Sequence, residues 1–258
     1  MRPFACAVTL ALPLALAACA GSGGPPKPNQ RAIAMIDRML TGAPGAAQPS
    51  TIVAAELAFS RAARERGQWT AYRLAAAPGA MMHGPDGPFA IEPWIAAQTD
   101  PPEAAQWSPR AVAISCDGAL AVSQGRIRYA DGKIGNFLKV WERQPGGEYR
   151  YSFDADGQDV PQPPPRQAIE EGNIIVTAID AVQGLIASCP RAGAAIPPPP
   201  AIPVGEEGKA DARLSRDGSL RWRWEHRADG TRYAAVDYFY EGRWKLAFDQ
   251  SLAPPAGQ

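Results

Sequence analysis

The chain has 258 residues, with 26 basic and 26 acidic side chains and a formal net charge of zero. That balance gives no electrostatic reason to expect capture of nucleic acid or of an acidic lipid surface. The length accommodates one large domain or two small ones.

Met1-Arg2 is a short positive head, and Phe4 to Ala18 is an apolar run broken by Pro13. The run is too short and wrongly flanked for a membrane-spanning helix and fits a secretory signal over residues 1–18. Leu16-Ala17-Ala18-Cys19 at its end resembles the lipobox of bacterial lipoproteins. The resemblance implies that Cys19 is acylated and becomes the mature N-terminus. Ala20 in place of Asp after it implies sorting to the outer membrane of a Gram-negative cell, on the periplasmic face. A diacylglycerol there makes a stable membrane anchor, and residues 19–30, rich in glycine and proline, read as a flexible tether. Cys6 leaves with the signal, so Cys116 and Cys189 remain. An even pair in an oxidising compartment reads as one disulfide, with two buried thiols as the alternative.

Arg31 to Leu40 is a short amphipathic helix by its apolar spacing. Thr51 to Arg66 is a second, with Ser50 as N-cap; Ile52, Ala55, Phe59, Ala62 and Ala63 line one side, and Glu56, Ser60 and Arg64 the other. Gly67 stops it, and Gln68 to Ala76 forms another helix ended by Pro78-Gly79. Ala80 to His83 is briefly extended, with His83 expected in an exposed loop. Ile91 to Ala97 is a helical turn around Trp94, and Val112 to Ser115 is a strand.

Ala119 to Tyr129, Ile134 to Arg143 and Glu148 to Asp154 then form a three-stranded meander. Asp131-Gly132 signals a two-residue hairpin loop, which sets Ser123 opposite Val140 and Gly125 opposite Leu138. One face then carries Ala121, Ser123, Gly125, Ile127, Leu138, Val140, Tyr149, Tyr151 and Phe153, and the other is largely charged, Lys139 included. The small residues on the covered face leave room for a helix or a ligand.

Ala55 to Phe59, the Trp69 to Ala76 segment, Met81-Met82, the Trp94 turn, Trp107-Ser108-Pro109 and Val140-Trp141-Glu142-Arg143 together resemble the SnoaL-like branch of the nuclear transport factor 2 superfamily. The resemblance spans residues 50 to 156. It implies an α+β fold over 31–160 in which helices pack in a curved antiparallel sheet shaped as a cone, with a pocket between them. Phe59, Tyr72, Ser123, Asn136, Tyr151 and Trp94 are the pocket candidates. The superfamily includes isomerases, dehydratases and cyclases beside members without known chemistry, so the fold implies a pocket more firmly than a reaction.

Residues 161–258 are expected to form a C-terminal β extension with proline-rich loops. Pro161 to Pro165 is a connection, and Asn173 to Ala187 is strand or helix, with Ile174 to Ile179 favoured as strand for its β-branched residues. Ala194 to Lys209 is a surface loop. Asp217-Gly218 then opens a second meander one hundred residues after Asp117-Gly118, with turns at Asp229-Gly230 and Glu241-Gly242. A two-residue loop at each turn sets Trp222 opposite Asp237 and Phe239 opposite Trp244. Asp237 and His226 thereby become polar members of an aromatic face, and Asp237 a candidate buried acid. The similarity allows a duplicated cone, strands added to the first sheet, or a small sheet packed on it.

Chemistry is sparse. His83 and His226 have no neighbours at ligand spacing, so no metal is expected, and no motif implies a cofactor. Glu142 is the carboxylate expected on the covered face of the first meander, with Tyr72, Tyr149 and Tyr151 as available hydroxyls. Trp222-Arg223-Trp224 mixes aromatic and basic residues, but alternation sends them to opposite faces, against nucleic-acid binding. Two functions follow as expectations: a non-catalytic binding lipoprotein, for a small apolar ligand or a protein, or an acid–base enzyme acting on a small apolar substrate in the cone. A homodimer through an open sheet face is the remaining partner expectation.

Overall fold

The computed structural model describes residues 46–164, 181–189, 196–202 and 209–254. The signal with Cys19, the tether, the Arg31 to Leu40 helix and the Ile174 to Ile179 run lie outside the described residues.

Helix α1 (Pro49–Arg66) starts on a proline, whose missing N–H is no loss in a first turn. Gln48, not Ser50, is its N-cap residue, and no side chain caps it. Gly67, at φ 104°, ends α1 and opens α2 (Gln68–Ala75). Asp100 caps α2 from a distance, accepting from the amide of Trp69 at 2.5 Å and the hydroxyl of Thr70 at 2.6 Å. The chain passes directly from α2 into strand β1 (Ala76–Gly84), so Pro78 and Gly79 lie in a strand irregularity and do not terminate a helix. Strand β2 (Gly87–Ala90) and helix α3 (Ile91–Ala96) follow. The meander is β3 (Gln106–Ile114), β4 (Leu120–Arg128), β5 (Ile134–Arg143) and β6 (Tyr149–Gln158), and β7 (Gln183–Ile186) comes later. These seven strands form one sheet in the order β2-β1-β6-β5-β4-β3-β7. It is mixed, not antiparallel throughout, because β1 runs parallel to β6 and β7 parallel to β3. Register shifts interrupt three of its pairings, and such bulges bend a sheet.

The C-terminal strands β8 (Lys209–Leu214), β9 (Leu220–His226), β10 (Arg232–Tyr240) and β11 (Arg243–Leu252) form a separate antiparallel sheet. Of the three arrangements the sequence allows, the chain adopts the small sheet packed on the first. The seven-stranded sheet is covered on both faces. Helix residues Ile52, Phe59, Ala63 and Tyr72 pack with Val112, Ile127, Phe137, Trp141 and Tyr151 on one side. On the other, Val122, Leu138, Val140 and Phe153 meet Leu220, Trp222, Val236 and Phe248 of the second sheet.

The predicted hairpins at Asp131-Gly132 and Asp229-Gly230 are each displaced by one residue, for a single reason. The Tyr129 amide donates to the Lys133 carbonyl and the Gly132 amide to that of Tyr129, both at 2.9 Å. That is a three-residue loop closed by Gly132 at φ 82°, a turn with a glycine bulge. Gly125 therefore pairs with Phe137 and Ser123 with Lys139. A one-residue slip inverts every side chain of one strand, so Phe137, Lys139 and Trp141 face the helices while Leu138 and Val140 face the second sheet. A bulge between Val140 and Trp141 keeps Tyr151 on the helix side and turns Phe153 away. Arg227, Gly230 and Thr231 repeat the same loop, pairing Trp222 with Val236 and Arg221 with Asp237. The Glu241-Gly242 loop has two residues as expected, and Phe239 pairs with Trp244.

The two meanders open on equivalent turns. In each, a serine hydroxyl donates to an aspartate at 2.6 Å, from Ser115 to Asp117 and from Ser215 to Asp217, and accepts from the amide of Leu120 or Leu220. The turns also dock on each other: the Asp117 amide donates to Asp217 and the Cys116 amide to Ser219, both at 2.9 Å. Cys116 is disulfide-bonded to Cys189, with Cα atoms 5.0 Å apart.

Candidate functional site

The interior between the helices and the sheet holds a buried polar network. On α1 the stripe Ile52, Glu56, Phe59, Ser60 and Ala63 faces the core, so Glu56 and Ser60 point inward, not outward as the sequence reading had them. The Glu56 carboxylate is fully buried and accepts from the indole N–H of Trp107 at 2.9 Å, that of Trp141 at 3.0 Å, and the Ser123 hydroxyl. Burial raises its proton affinity, while the charge of Lys139 and the hydrogen bonds from Ser123 and Trp107 act the other way.

Lys139, inverted into the core by the Gly132 loop, is 1% exposed. Its Nζ lies 5.2 Å from the ring centroids of Phe59 and Tyr72, 5.3 Å from Tyr151, 5.7 Å from Phe137 and 5.9 Å from Trp107. It pairs with Asp154 at 2.6 Å. The Tyr72 phenol, pushed well up by burial, lies beside Asp154. Farther along β6, burial and then the charge of Asp154 raise the Asp156 carboxyl, which accepts from the Tyr129 hydroxyl at 2.5 Å. Asp156 and Tyr129 are half-exposed, which puts this end of the network at the solvent boundary.

Phe59, Tyr72, Ser123 and Tyr151 thus come together in the packed interior, Phe59 stacking on Tyr151 at 5.6 Å. Trp94 sits at the periphery, edge-on to Trp69. Asn136 does not belong: the register slip puts it on the opposite face, bonded to Arg126 and Asp159 beside a 340 Å³ cleft that Pro161 and Leu252 also line. A second cleft of 260 Å³ lies between α2, β1 and α3, with Arg73 and Arg150 at its rim. Glu142 is half-exposed at the end of β5, outside the core.

Asp237 is buried, but on the outer face of the second sheet, while Val236 occupies the core. Its partners are Arg221 at 2.6 Å and Arg223 at 3.6 Å, and Arg221 also reaches the Pro200 carbonyl. His226 stays on the inner face and does not meet Asp237. It meets His83, 1% exposed and not in a loop, with Nε2 and Nδ1 3.2 Å apart. Burial, then Arg232, then His226 lower His83 to about 3. Among the described residues no three metal-ligating side chains converge.

Glu56 and Lys139, with Asp154, Asp156 and Tyr129, are members of this network that reading the sequence missed. Glu56 was findable, since it lies four residues after Ile52 and three before Phe59. Lys139 depends on the length of a loop.

No family model matches the chain, and no curated protein matches it. Among solved structures it is similar to a nuclear transport factor 2 (NTF2-like) superfamily protein from Salmonella enterica subsp. enterica serovar Typhimurium str. LT2, at 16% identity and a TM-score of 0.28. The match covers 48% of this chain and 94% of that one.

Proposed function

We propose that the protein is a non-catalytic lipoprotein, anchored through Cys19 to the periplasmic face of the outer membrane, whose NTF2-like domain serves as a protein-binding module. The observation that supports this reading is the occupancy of the cone. The Lys139 ammonium stands among five aromatic rings, where a small ligand would lie, and Glu56 already accepts from three donors. An acid that serves the fold in this way is not poised for proton transfer. Native mass spectrometry of the purified protein tests the reading: no small molecule is expected to accompany it non-covalently, and a stoichiometric one would make the cone a ligand pocket instead. Labelled palmitate tests the anchor, with incorporation expected in the wild type and lost in Cys19→Ser.

A second reading, an acid–base enzyme, draws on the Asp156–Tyr129 pair at the solvent boundary, where a carboxyl of raised proton affinity meets a phenol. A small-molecule library that gives turnover abolished by Asp156→Asn would favour it.

A further inference from the structure

Lys139 and Asp154 are directly opposed across β5 and β6. Their side chains are 2% and 0% exposed, and Nζ lies 2.6 Å from Oδ1. Apart from the ammonium, neither carboxylate oxygen meets a well-aligned hydrogen-bond donor. Phe59, Tyr72, Trp107, Phe137 and Tyr151 wall the pair. A buried ion pair stabilises a fold weakly, because desolvation offsets the attraction. The same arrangement suits condensation: an amine and a carboxyl held at contact distance, in the absence of bulk water, react with a very high effective concentration.

We propose that Lys139 and Asp154 form an intramolecular isopeptide bond in the folded chain. One proton passes from the ammonium to the carboxylate across the contact. The Nζ lone pair then attacks Cγ of Asp154, and one carboxyl oxygen takes up the charge. A second proton leaves nitrogen for the hydroxyl on Cγ, the C–O bond breaks, and water departs. The balance is ammonium plus carboxylate to secondary amide plus water, with no oxidant, reductant or co-reactant.

Trypsin digestion and mass spectrometry of the reduced full chain decide the matter. Cleavage at Lys133, Arg143, Arg150 and Arg166 should release Ile134–Arg143 and Tyr151–Arg166 as one branched ion, lighter than the two peptides by one water and uncut at Lys139. Recovery of the two segments as separate peptides, with cleavage after Lys139, would overturn the proposal. The branched ion must vanish in Lys139→Arg, and its persistence there would equally overturn the assignment. The wild-type digest is informative whether or not the variants fold.

Discussion

Glu56 accepts from three donors, of which the Trp141 indole also reaches Ser123 Oγ at 3.0 Å and the Ser123 hydroxyl the Lys139 carbonyl at 3.4 Å. Glu56→Ala strands the Trp107 indole N–H, takes one of two acceptors from each of the other donors, and is expected to cost about 2–4 kcal/mol. Glu56→Gln, which keeps a carbonyl oxygen, should cost less. Urea unfolding of the two variants measures the difference, and equal losses would remove the hydrogen bonds as the cause. His83 gives a pH dependence of defined sign. Its folded value lies near 3, below the ordinary 6.5, so between those values the unfolded chain binds a proton that the folded chain refuses. Stability conferred by the neutral ring is present above 6.5 and lost as pH falls, by about 1 kcal/mol per unit. The stability advantage of wild type over His83→Gln should therefore shrink from pH 7 to pH 5; an unchanged gap would show that the ring takes up its proton without penalty. Residue-scale chemistry was only partly legible beforehand. The aromatic lining declared itself through spacing, whereas the partners of Glu56 come from strands 51 to 85 residues away, and no local pattern carries that.

Turns decide which face each strand presents. Gly132 and Gly230 occupy the same left-handed position in three-residue loops, and Asp-Gly signals such loops as well as the two-residue kind, so hairpins were readable from sequence and their registers were not. The consequence reached Lys139, Asn136, Val236 and Asp237. Glycines differ in what constrains them. A Cβ on Gly132 meets nothing within 4 Å, whereas on Gly118 it would lie 2.8 Å from the Ala46 carbonyl oxygen. Gly132→Ala is expected to cost about 1–2 kcal/mol for its backbone conformation alone. Gly118→Ala should cost more, with thermal unfolding as the measure; a reversed order would mean that the segment at Ala46 yields freely. The strand pattern itself was legible because alternation survives a register slip. The parallel pairings of β1 and β7 were not, since nothing local to either short strand names its neighbour.

Across the whole molecule, the Cys116–Cys189 bond closes a loop of 73 residues. By loop-entropy arithmetic it stabilises the fold by at most about 4 kcal/mol. Reduction should lower the urea midpoint by a corresponding amount, and two thiols titrated in unfolded, unreduced protein would contradict the bond. The second meander repeats the turn chemistry of the first, and that repetition was visible in the sequence as the offset between Asp117-Gly118 and Asp217-Gly218. What it builds stayed open between a packed second sheet and two alternatives, because face-to-face packing of two sheets depends on which strand faces are apolar, and that follows from register.

The docking of the two opening turns has a consequence in time. Ser115 to Leu120 and Ser215 to Leu220 touch in the folded state but lie one hundred residues apart along the chain. At about 5–20 residues per second of synthesis, the second turn follows the first by on the order of 5–20 s. Through that interval Val122, Leu138, Val140 and Phe153 have no cover from within their own chain. The nascent protein is thus most vulnerable to aggregation midway through its making, and a holding chaperone that acts on half-made chains should raise its yield more than one that acts on finished ones.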